Sequence, residues 1–215
     1  MPFRLSSTAL LLAALALACG GQSQQAETSQ PKPEELPRVQ PLATEALAGQ
    51  SVIVLPLTLA VSEDSLTDHE PFNDRARLLF LADSVVGATL QNRAPDVKWV
   101  LPPELRKIAG RAQGLVPEPD HMGQALLRSP KMEDVPDPLW SYLRSLTSMA
   151  GARMALVPAM LEYFHAPEGY RAQLTMAVAD SRTGRIPWRT VANGMGPTPT
   201  RALTVAMNGV LPLVK

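Results

Sequence analysis

One cysteine, three histidines and no excess charge of either sign leave this 215-residue chain little for chemistry. The single Cys19 permits no disulfide within the chain, so packing alone must hold the fold. His69, His121 and His165 stand far apart, and none has a partner at metal-ligand spacing, so no metal site is assigned. Twenty Lys and Arg balance 20 Asp and Glu, a composition with no pull toward nucleic acid or an anionic membrane surface. The longest apolar run, Ala9 to Ala18, has ten residues, against about 20 for a helix that crosses a bilayer. A Gly-x-Ser-x-Gly elbow and a phosphate-cradling glycine loop are both missing. The acidic loop with Glu63, Asp64, Asp68 and Glu70 lacks the order of a calcium loop and reads as solvated. His121 beside Asp120, and His165 near Glu162, read as surface pairs. No catalytic residue and no cofactor follows from any of this.

What is present begins at the amino terminus. Arg4, the apolar run and the small residues behind it are the parts of a secretory signal. Ala16-Leu17-Ala18-Cys19 resembles a bacterial lipobox, whose cysteine is lipidated and becomes the new terminus. The expectation is a signal peptide at 1–18, then lipidated Cys19 on a disordered, proline-bearing tether at 19–49, then a domain at 50–215. Acyl chains on Cys19 would hold the chain to a membrane. Gly20 in place of an aspartate points to the periplasmic face of the outer membrane.

The domain alternates strand and helix. Ser51 to Val61 is a continuous apolar run, as in a strand buried on both faces. Leu78, Leu81, Ala82, Val85, Val86, Thr89 and Leu90 make the apolar stripe of a helix over 74–93. Phe80 lies off that stripe and either covers the preceding loop or stands exposed for a partner. A short strand at 97–101 and a helix from Pro103 follow. Helices are predicted over 119–128, with Met122, Ala125 and Leu126 inward, and from Asp137-Pro138 to Gly151. Arg153 to Val157 is a strand that resumes after Pro158. Tyr170 to Asp180 alternates, with Arg171, Gln173 and Thr175 on a wet face. Asp180 to Gly184 turns the chain into a strand over 185–191, which Pro187 assigns to a sheet edge. Gly194 to Pro197 reads as a break before a helix capped by Thr198-Pro199. Three strands end alike, at Pro56, Pro102 and Pro158; if parallel, they place these prolines along one edge of the sheet, the edge where α/β folds bind ligands, but the plainer reading is that proline merely terminates short strands. The fold class is α/β: a single mixed sheet of about five strands with helices packed on it and a terminal antiparallel hairpin.

Val-Ile-Val-Leu-Pro-Leu at 52–57, the Glu104-Leu105-Arg106 helix start, Gly151 to Pro158 and the Asp180-x-x-x-Gly184-x-x-x-Trp188 hairpin resemble a group of envelope proteins. The group contains the periplasmic domain of the curli-secretion lipoprotein CsgG, the amino-terminal domain of TolB, and the lipoprotein activators of peptidoglycan synthases. The resemblance implies a non-enzymatic adaptor that binds other envelope proteins. Strands for a membrane pore are lacking. Arg182, Arg185 and Arg189 on the hairpin, with Arg171 across from them, are either solubilising charge or a positive contact patch. With Gln173 and Phe80 they are the candidate partner-binding residues. The alternative is a carrier or sensor that holds an apolar ligand between sheet and helices, lined by Met122, Met149, Met154, Met160, Met176 and Met207. Oligomeric state is left open.

Overall fold

The computed structural model describes residues 38–112, 114 and 116–211. The elements are β1 (Ser51–Val54), β2 (Ala60–Ser62), α1 (Arg75–Arg93), β3 (Lys98–Val100), α2 (Pro102–Arg111), α3 (Leu139–Met149), β4 (Met154–Ala166), β5 (Gly169–Asp180), β6 (Trp188–Gly196) and α4 (Pro199–Val210), with short 3-10 turns between them. Local chemistry sets the helix ends. Asp74 accepts the Arg77 N–H at 3.0 Å, Thr198 accepts that of Arg201 at 3.2 Å, and Gly151 leaves α3 at φ +62°.

The strands form one mixed sheet in the order β3-β1-β4-β5-β6, with β2 beside the far half of β4. β3, β1 and β4 are parallel, and β4, β5 and β6 antiparallel. Pro187 stands immediately before the edge strand β6, where its missing N–H breaks no ladder. α1 and α4 cover one face, with Leu90 and Met207 among the side chains that meet Leu156 and Leu174. α2, α3 and the turn Gln124–Arg128 cover part of the other, where Leu105, Leu127 and Leu143 meet Ile53 and Val157. The sequence-derived α/β class is the observed one, with six strands because the first apolar run is two.

That run divides at Pro56. Its carbonyl accepts the buried Gln124 amide at 3.1 Å, and the Leu57 N–H turns to Asp83 Oδ1 at 2.8 Å. The chain thus leaves β1 and rejoins the sheet as β2. Residues 119–128 are not one helix but two 3-10 turns, because Gly123 between them sits at φ +76°. Period three then buries Leu127, and Leu126 is exposed. Gly194 and Gly196 do not break the chain; they belong to β6, and a Cβ at Gly194 would collide with the Ala202 carbonyl and the Ala206 nitrogen of α4. The wet face of β5 ends at Gln173, since Thr175, Ala177 and Ala179 are buried. The tether reading is corrected over residues 38–49. Leu42 and Leu47 join the α1–α4 core, the Leu42 N–H reaches the Val210 carbonyl at 2.8 Å, and the Trp188 indole donates to the Pro41 carbonyl at 3.1 Å. Cys19, the signal segment and the tether to residue 37 lie outside the described residues.

Candidate functional site

β4 is long enough to outrun its cover. The core beneath α2 and α3 reaches Ala159 on β4 and Ala177 on β5. Beyond it the same face carries three cross-strand rows. Met160, Thr175 and Val191 form the first, and Val61, Glu162, Gln173 and Asn193 the second. Phe164, Arg171 and Met195 form the third. Thr175 is still buried, whereas Val61 and Met195 are 42% and 57% exposed. The Arg171 guanidinium lies 4.3 Å from the centre of the Phe164 ring, a cation–π stack that stiffens both side chains. Gln173 donates to Glu162 at 3.3 Å. Asn193 has both amide atoms shielded and without a protein partner. A face of this kind, apolar at its margins and polar with fixed donors at its centre, can bind a surface but has no nucleophile poised for a reaction.

The candidate residues named from sequence therefore separate. Arg171 and Gln173 share the open face. Arg182 and Arg185 are exposed at the β5–β6 turn, nine residues along the strand, or about 30 Å away. Arg189 is occupied within the fold: it donates to the carbonyls of Leu127 and Pro130 at 3.2 Å each, and burial pushes its pKa down. It ties the loop at 127–130 to β6. Phe80 does not cover the preceding loop; it is 73% exposed on α1, which packs on the opposite face of the sheet. The six methionines named for a ligand lining share no cavity. Met176 and Met207 lie in one core, Met122 in the other, and Met149 is exposed.

A second cluster joins three elements. Arg106 on α2 donates to Asp120 through Nε at 2.8 Å and Nη2 at 2.7 Å, and to Asp83 on α1 at 3.3 Å. Burial raises the Asp83 pKa to about 6, against the opposing pull of the Leu57 N–H and of Arg106. The Arg106 hydrogen bonds hold Asp120 below its usual value. Nothing in the spacing of 83, 106 and 120 announces this; only the common placement of α1 and α2 at the carboxyl ends of β1 and β3 brings them together. His121 faces Glu118 at 3.5 Å instead of Asp120. Among the described residues no three side chains converge as metal ligands, and no helix is long and apolar enough to cross a membrane.

No protein-family model matches the sequence, and no curated protein matches it. Solved structures similar to the chain include the C-terminal domain of LpoB from Salmonella enterica, at 14% identity over 69% of this chain and 84% of that one, with a TM-score of 0.39. The PelC dodecamer from Paraburkholderia phytofirmans is similar at 14% identity, 81% and 93% coverage, and a TM-score of 0.39. A lipoprotein from Neisseria meningitidis is similar at 13% identity, 69% and 81% coverage, and a TM-score of 0.35.

Proposed function

We propose that this chain is a non-enzymatic envelope adaptor. In this reading Cys19 is acylated after cleavage behind Ala18 and anchors the chain on the periplasmic face of the outer membrane, and the domain docks another envelope protein. The observation that supports the docking role is the open face of β2, β4, β5 and β6. Four strands wide, it leaves Val61 and Met195 in solvent. The Arg171–Phe164 stack offers a pre-ordered anchor of the kind that concentrates binding energy.

The test is photocrosslinking in the native envelope from the full chain, with benzoylphenylalanine at Gln173 or Met195. A defined protein adduct is expected at both positions, reduced by Arg171→Glu. Unreacted monomer at both would overturn the reading.

A further inference from the structure

The topology reverses direction at β1. The chain leaves it through α1, over one face, to reach β3 on one side. It then returns through α2 and α3, over the opposite face, to β4 on the other side. Such a reversal opens a crevice at the carboxyl end of the central strand, since the two flanking helices depart from each other there.

The crevice has two neighbouring hollows that share Arg106 as a lining residue. The first, about 210 Å³, runs along α1. Phe80, Ser84, Gly87, Ala88 and Gln91 follow one another at helical spacing down its wall, a span of about 16 Å. Leu101, Pro102 and Pro103 face them. Gly87 is buried and lets Leu101 close against the helix, whereas the small exposed Ala88 keeps the outer wall low, so another chain can lie close, and exposed Phe80 stands at its head. The second hollow, about 350 Å³, is bordered by Glu118 and Asp120. Among the described residues Arg106 is the single cation lining either hollow, with Asp83 in the first and Glu118 and Asp120 in the second. Its own hydrogen bonds already go to two of them. One half of the crevice is thus apolar and the other carries surplus negative charge. The apolar hollow is smaller than the 300 Å³ or so at which pockets enclose a free small molecule.

We propose that this crevice docks an extended segment of another envelope protein in which an apolar side chain is followed within a few residues by lysine or arginine. The apolar side chain lies on Phe80 and Leu101, and the cation passes Arg106 to reach Asp120 and Glu118. An acidic segment meets Glu118 and Asp120 there and is repelled. The site stands on α1 and α2 and does not depend on whether the open sheet face binds anything.

The experiment places benzoylphenylalanine at Phe80 or Gln91 in the full chain in its own envelope, maps the crosslinked segment by mass spectrometry, and runs Gln173 in parallel. The expected result is one captured segment holding an apolar residue and a nearby Lys or Arg. Neutralising the acidic hollow with Glu118→Gln and Asp120→Asn should lower the yield about three- to fivefold, the size of one or two exposed charge contacts. Ala88→Arg, at an exposed helical position that tolerates arginine, should fill the groove, repel the cation and lower the yield as well, with the melting temperature kept. Adducts with lipid alone, with a second copy of this chain, or with a segment lacking a basic residue would overturn the proposal. So would no adduct, or a yield indifferent to both variants. Capture at Gln173 without capture at Phe80 sinks this groove and leaves the sheet-face reading standing; the converse outcome does the reverse.

Discussion

Asp83 holds a position that works against it. Its carboxylate receives the Leu57 N–H and Arg106, yet burial outweighs both and lifts its pKa to about 6 from 3.8. Between those two values the folded chain binds more protons at this site than the unfolded chain does. Stability contributed here therefore falls as pH rises from about 4 to about 6, then stays level. Asp120 and Asp180, whose partners hold them low, act in the opposite sense at more acid pH, so the comparison must be made against a variant. In Asp83→Asn the side-chain oxygen still accepts from Leu57. Its stability relative to the parent, from urea unfolding at a series of pH values, should rise between pH 4 and 6 and remain constant above. Gln124 makes a contrasting case, because its amide satisfies the carbonyls of Pro56 and Pro119 at 3.1 and 2.8 Å. Gln124→Ala strands both and should cost about 2–3 kcal/mol, read as a lower urea midpoint with unchanged slope.

Among the elements, α4 shows how a helix can lie on a strand at backbone distance. Gly194 has no φ that demands glycine, but its missing side chain is the space in which the Ala202–Ala206 turn rests. Gly194→Ala should cost about 3 kcal/mol or more, at the upper end of overpacking penalties. Gly110→Ala on the exposed side of α2, where a Cβ meets nothing, should stabilise by a few tenths to about 1 kcal/mol. Thermal melts of the two variants give the comparison. Four helices were legible in the sequence because their signals are local, Thr198 as a cap and the 3.6-residue recurrence of Leu78, Ala82, Val86 and Leu90 among them; the helix expected over 119–128 was not, because Gly123 divides it. The division of the first strand was not, since the groups that draw it apart at Pro56 and Leu57 are Gln124 and Asp83, 68 and 26 residues away. At the candidate sites, alternation along β5 marked Arg171 and Gln173 as outward. It could not mark where the cover over that face stops, because α2, α3 and the turn Gln124–Arg128 set that limit. Arg189 looked like its neighbours in sequence and became a tie because the loop at 127–130 passes over it.

For the molecule as a whole, the adaptor reading assigns separate tasks to separate parts, and each part can be removed alone. Cys19→Ala should move the chain from the membrane fraction to the soluble one and abolish labelling by a palmitate analogue. Its melting temperature should be that of the parent, because every contact described here lies beyond residue 37. A chain equally membrane-bound without the thiol would dispose of the anchor while leaving the open sheet face and the α1–α2 crevice to be judged on their own adducts.

Residues 38–49 also decide how the domain answers a pull. Tension applied at Arg38 meets the Gln40–Thr190, Pro41–Trp188 and Leu42–Val210 hydrogen bonds before it loads any rung of the sheet. These bonds and the packing of Leu42 and Leu47 into the α1–α4 core carry the load first, and their loss releases a dozen residues, roughly 40 Å of contour. In the adaptor reading the strap is a reserve of slack: tension on an anchored chain would lengthen the connection before it could unravel the body of the domain.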